Sequence, residues 1–188
     1  MSRSVKRRIR LSTPQIVVLG FAALILVGAI LLSLPISSAQ KQFTPFLDSL
    51  FTATTSVCVT GLVVQNTGTY WSSFGQGVIL MLIQVGGLGV ITVAASFTIL
   101  AGRKIGLFQR SAIQDAVASP QMGGVVKLTS FLLKTTFLIE AIGAVVLAPV
   151  FISDFGLPKG IWMSVFTSVS AFCNAGIDLF GDYRSLTD

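Results

Sequence analysis

The same pattern of residues occurs twice in this chain, offset by 115 positions. Ser49-Leu50-Phe51-Thr52, followed by Cys58 and Gly61, is matched by Ser164-Val165-Phe166-Thr167, followed by Cys173 and Gly176. An internal repeat constrains the architecture more than any local propensity, because each copy has to fold as the same supersecondary unit. Both copies lie beside long apolar stretches and end in a short uncharged segment closed by glycine. The pattern therefore describes a duplicated membrane unit, built on a short non-spanning helix and an irregular turn.

Composition agrees. The chain is 53% hydrophobic and 11% charged, with a mean hydropathy of +0.85, which puts it in the membrane class. Three runs are long enough to cross a hydrocarbon core of about 30 Å. Residues 16–34 and 74–100 carry no charge, and 128–151 contains Lys134 and Glu140. There is no histidine and there are only seven acids. With no clustered carboxylates and no nucleophile–base pair, an enzyme is not expected.

Charge sets the orientation. Arg3, Lys6, Arg7, Arg8 and Arg10 precede the first run, and Arg103, Lys104, Arg110 and Lys127 separate the second from the third. The opposite side holds only Lys41, Lys159 and Arg184. By the positive-inside rule the N-terminus is cytoplasmic and both repeat motifs face outward. The net charge of +6 then needs no nucleic acid: most of it is topogenic, and part of it is placed to touch anionic lipid. A cleaved signal peptide is the competing explanation of the N-terminus, but the apolar run is long for one and Pro35 follows it directly.

The short segments read as half-membrane helices. Thr44 is expected to cap the first and Pro45 to open it, with Asp48 near the positive end of the helix dipole. That gives a helix over 45–55 and an irregular segment over 56–62. The second copy gives 158–170 and 171–177. Irregular backbone at membrane depth is tolerated where it is buried in protein or lines a water-filled cavity. Backbone carbonyls there can replace the hydration shell of a cation, with no carboxylate required. Ordinary external Ser/Thr-rich loops are the alternative; the repeat and the lack of charge across 49–102 weigh against them. The equivalent places of Cys58 and Cys173 suggest small packing side chains, a disulfide being the lesser alternative.

These residues resemble the Trk/Ktr/HKT superfamily of potassium transporters, and are most like the bacterial Ktr-type membrane subunit. Thr54-Thr55-Ser56-Val57-Cys58-Val59-Thr60-Gly61-Leu62 is similar to that family's first filter. Gln84-Val85-Gly86-Gly87-Leu88-Gly89-Val90 resembles its glycine-rich inner-helix motif, and Ser170-Ala171-Phe172-Cys173-Asn174-Ala175-Gly176 its second filter. The resemblance implies an all-α integral membrane protein of repeated outer helix, pore helix, filter loop and inner helix, as in a potassium-channel-like pore. It implies a basic N-terminus over 1–15, a first repeat over 16–102, a cytoplasmic connector over 103–127 and a partial second repeat over 128–188.

Function follows from the same resemblance: potassium uptake across the plasma membrane through a carbonyl-lined filter. Potassium is the substrate; no cofactor or transition metal is implied. The ion-binding residues would be Cys58, Val59, Thr60 and Gly61 with Cys173, Asn174, Ala175 and Gly176. The partners implied are lipid, a second copy in a homodimer and a cytosolic nucleotide-binding regulatory subunit. Ile177 departs from a commoner aromatic residue. Four repeats are usual in the family. One and most of a second are here, so a fragment, a truncated product or half of a split transporter is expected. A non-conducting assembly or anchoring subunit is the rival function.

Three further features have bland and sharp readings. The Gly86-Gly87-Leu88-Gly89 run suits close helix packing far better than phosphate binding. Gln84 is expected to hydrogen-bond a neighbouring helix. Glu140, in the middle of the third run, is either an interior structural partner or part of an ion path, while Lys134 snorkels to the surface.

Overall fold

The structure, a computed structural model, describes residues 13–89, 92 and 125–181. The basic N-terminal segment, almost all of the connector 103–127 and Arg184 lie outside the described residues. Among those described, every named element is helical. These are α1 (Thr13–Ser33), a single 3-10 turn (Pro35–Ser37), α2 (Phe46–Val57), α3 (Thr67–Tyr70), α4 (Ser73–Leu88), α5 (Val125–Phe155) and α6 (Leu157–Phe172).

Helix α1 has 21 residues, no charge and apolar side chains on all sides, as a lipid-facing helix requires. Its last hydroxyl is satisfied internally: Ser33 Oγ donates to Ala29 O at 2.8 Å. Pro35 then stops the helix. The end of α1 and the start of α4 are clasped together. Ala39 N donates to Tyr70 O and Ser72 N to Ser37 O, both at 2.9 Å, and Ser72 Oγ donates to Ile36 O at 2.6 Å. Everything from 39 to 71, including α2, is therefore an excursion that returns to its starting point. Gly75 lies so close to Ser37 O that a Cβ would not fit, which keeps the clasp tight.

The first excursion helix, α2, has 12 residues, roughly 18 Å at 1.5 Å per residue, about half of a hydrocarbon core. Thr44 does not cap it. Pro45 occupies the cap position itself, and the Thr44 hydroxyl instead accepts from Tyr70 Oη at 3.1 Å. Asp48 is in the first turn as expected, and accepts from Gln65 Nε2 at 3.1 Å.

The second copy is a tight hairpin. Helix α5 carries Pro149 in its interior without ending there, and runs on to Phe155. Gly156, at φ +81°, reverses the chain into α6, with proline in the first turn. The two helices approach through glycine: a Cβ on Gly160 would be 2.6 Å from Phe151 O and Ile152 Cα. Within α5, Thr129–Phe155 is the one described helix long and apolar enough by itself to cross a membrane; the apolar stretches Val17–Ser33 and Ser73–Leu88 are shorter.

Boundaries differ from the sequence expectation where glycine intervenes. The run 74–100 is helical from Ser73, but α4 ends at Leu88 because Gly89 turns to φ +83°; residues 90–100 apart from Thr92 are outside the described set. Helices α2 and α6 each extend two residues past the expected 55 and 170. The two copies share one buried core, with Leu32, Ala53, Val57, Ile79 and Ile83 from the first and Phe151, Met163, Phe166 and Val169 from the second. A polar link crosses it: Trp162 Nε1 donates to Gln76 Oε1 at 2.8 Å.

Substituting Gly160→Leu should overpack the hairpin and destabilise the protein by ~2 kcal/mol, lowering its melting temperature in detergent by about 5 °C. Gly77→Ala, with nothing within 4 Å of the added carbon, should leave the melting temperature unchanged.

Candidate functional site

Beyond α2 and α6 the backbone follows the same course twice. Cys58 N donates to Thr54 O at 2.8 Å, and Cys173 N to Val169 O at 2.9 Å. Thr60 N then donates to Thr55 O at 3.0 Å, and Ala175 N to Ser170 O at 2.7 Å. Each loop finally folds back on a hydroxyl: Leu62 N donates to Thr55 Oγ1 at 2.9 Å, and Ile177 N to Ser170 Oγ at 3.1 Å. Ser170 Oγ in turn donates to Ile177 O at 2.5 Å. Thr55 and Ser170 hold equivalent positions in the repeat and anchor the two loops. Their anchoring role was not read from the sequence, although a hydroxyl at matched positions of both copies was the available signal.

The torsion angles match as well. Cys58 and Cys173 are right-handed helical, at φ −84° and −75°. Val59 and Asn174 follow at +49° and +57°, and Gly61 and Gly176 at +75° and +66°, with Thr60 and Ala175 between them outside the positive region. For a β-branched residue such as Val59 a positive φ is a true outlier, with a cost on the order of 1–3 kcal/mol. Such strain persists only where the surroundings over-determine it, and here the hydrogen bonds just described, three in the first loop and four in the second, do so.

The two loops touch. A Cβ on Gly61 would be 2.8 Å from Ala175 O and 3.4 Å from Gly176 Cα; one on Gly176 would be 3.5 Å from Gly61 Cα. Gly61 is thus required twice, for its torsion and for the approach of the other loop. The eight residues singled out from the sequence are brought together in two sets of four. Cys58, Thr60, Asn174 and Gly176 are exposed, Gly61, Val59 and Cys173 partly covered and Ala175 fully buried. The Thr60 hydroxyl is paired with Thr55 Oγ1 at 2.6 Å. Both cysteines are free thiols.

Helix α4 supports both loops from behind. Gly86 lies directly against the backbone of Val57, and Gly87 against Cys173, where a Cβ would be 2.6 Å from Sγ. The glycine pair is a packing device, as its composition suggested. Electrostatics come from the backbone: α2 and α6 both end at the loops, so the negative ends of two helix dipoles are directed there. No charged side chain occurs within 56–62 or 173–177.

Known proteins are similar to this sequence. The profile of the TrkH family, described as cation transport protein, matches residues 4–187. The chain is 47% identical over 180 residues to a potassium/sodium uptake protein, NtpJ, of Enterococcus hirae, covering 95% of this chain and 40% of that one. It is 41% identical over 174 residues to the Ktr system potassium uptake protein B of Bacillus subtilis, covering 93% and 39%. The protein of that name from Vibrio alginolyticus is 34% identical over 169 residues, covering 90% and 37%. The chain thus spans about two fifths of the length of the curated relatives it matches.

Ser170→Ala leaves the buried Ile177 N–H without its side-chain acceptor and should destabilise the protein by about 1–3 kcal/mol, seen as a lower melting temperature. Maleimide labelling read by peptide mass spectrometry should modify Cys58, which is exposed, faster than Cys173, which is covered by Gly87.

Proposed function

The chain belongs to the TrkH family of cation transport proteins, and on that premise we propose that it supplies part of a potassium-selective pathway across the plasma membrane. The pathway is lined by backbone carbonyls of Cys58, Val59, Thr60 and Gly61 and of Cys173, Asn174, Ala175 and Gly176. In this reading α2 and α6 are pore helices, the two loops are filter segments, and α1, α4 and α5 are outer and inner helices of repeated units.

One observation carries the reading: two loops with matched alternating torsions meet glycine to glycine. Carbonyls turned to one side, with negative helix ends behind them, form a site that replaces the hydration shell of a monovalent cation. The absence of a carboxylate suits a weakly held ion that must leave again. The relatives named above are potassium and potassium/sodium uptake proteins. Two loops would line half of a ring, and further loops of the assembly would complete it. Ions would then move down their electrochemical gradient.

The remaining parts of the proposal rest on sequence. The N-terminus is cytoplasmic, the protein is multi-pass, and lipid surrounds it. A homodimer is the expected assembly, and the connector 103–127 is where a cytosolic nucleotide-binding regulatory subunit would dock.

Rubidium uptake by proteoliposomes of the intact protein tests the proposal. Gly61→Ser should lower the competition of potassium over sodium at least tenfold, and Gly61→Asp should abolish uptake. Full potassium preference in an active Gly61→Ser protein would show the filter assignment to be wrong. No uptake by folded, inserted protein would favour a non-conducting assembly subunit.

A further inference from the structure

Behind the two loops, one residue joins the three helices that hold them. Glu140 of α5 is 5% exposed. Its Oε1 accepts from Gln84 Nε2 of α4 at 2.9 Å, and its backbone O accepts from Ser168 Oγ of α6 at 2.7 Å. Gly143, one turn further along α5, leaves the space that Ser168 fills, since a Cβ there would strike the Ser168 hydroxyl.

Both partners lead directly to the loops. Gln84 precedes Gly86 and Gly87, which lie against Val57 and Cys173. Ser168 precedes Ser170, the anchor of the second loop. The seating of α4 has little tolerance, because Gly86 meets backbone atoms and not movable side chains. A slip of one turn along the helix would bring Leu82 or Ile83 into a place that has no room for a Cβ.

The N-terminal half of α4 is held by the Ser72 clasp and the Gln76–Trp162 bond, but beside Gln84 its packing toward α5 is incomplete. A cavity of about 350 Å³ opens between α4 and α5, lined by Leu80, Met81, Phe137, Ala144 and Val169 beside the Gln84–Glu140 pair. A directional bond supplies what contact alone leaves loose. A carboxylate inside a membrane bundle is expensive, and an apolar side chain would fill the cavity at less cost.

We propose that Glu140 is a positioning residue for ion discrimination: its bond to Gln84 holds α4 in the register that seats Gly86 and Gly87 against the two loops. The effect on discrimination rests on the proposed function; the effect on the seating of α4 does not.

The test uses the intact protein in membranes and two readouts, the maleimide labelling rate of Cys173 and the competition of potassium over sodium for rubidium uptake. Glu140→Leu should raise the Cys173 rate about tenfold and reduce discrimination about tenfold. Glu140→Gln keeps an acceptor for Gln84 and should behave as the parent. The exchanged pair Gln84→Glu with Glu140→Gln rebuilds the bond with donor and acceptor reversed, and should restore both readouts relative to Gln84→Glu alone. If Glu140→Leu does not insert, the exchanged pair decides, and its failure to restore Cys173 protection overturns the proposal. An unchanged Cys173 rate in inserted Glu140→Leu overturns it as well. Absent discrimination in the parent would count against the pathway itself, while the Cys173 rate would still judge the tie.

Discussion

Everything in this structure depends on the backbone contact between Gly61 and Gly176. The loops approach so closely because Gly61 carries no side chain, since a Cβ there would be 2.8 Å from Ala175 O, while Gly176 is held to glycine by its φ of +66°. The approach in turn requires that each loop be held from behind, which α4 does with a second pair of glycines, Gly86 and Gly87. Gly61 and Gly176 thus let the loops touch, while Gly86 and Gly87 seat α4 against Val57 and Cys173.

A backbone in that position has to satisfy its own polar groups. Where such a backbone is withdrawn from water, an unsatisfied N–H is costly. Thr55 and Ser170 each take the amide that closes their loop. The cost of Val59 and Asn174 at positive φ is borne by these bonds together with the ends of α2 and α6. In the proposed pathway the strain would have a chemical use, turning the carbonyls of one loop to the same side. A flexible loop could not hold that arrangement, and a relaxed strand would alternate its carbonyls.

The sequence made a good part of this legible. The repeat pairs residues whose torsions and hydrogen bonds also match, Cys58 with Cys173, Val59 with Asn174 and Gly61 with Gly176. The packing role of the Gly86-Gly87 pair and the bond from Gln84 to a neighbouring helix were also readable from residue type and burial. Helix ends were less so. Hydropathy over a run of 27 uncharged residues gives no sign that Gly89 takes φ +83° and ends α4. Thr44 looks like a cap, but its hydroxyl is taken by Tyr70, a partner 26 residues away that local pattern does not reveal. Thr55 and Ser170 are ordinary in a Ser/Thr-rich stretch; only their shared place in the repeat marks them.

The central claim is that the facing carbonyls of the two loops bind the permeating ion. Anomalous diffraction from crystals of the intact protein grown in rubidium, compared with crystals grown in sodium, tests it most directly. The account predicts rubidium peaks beside the carbonyls of residues 58–61 and 173–176 that sodium does not replace. Ordered rubidium found only elsewhere, with these carbonyls bare, would contradict it.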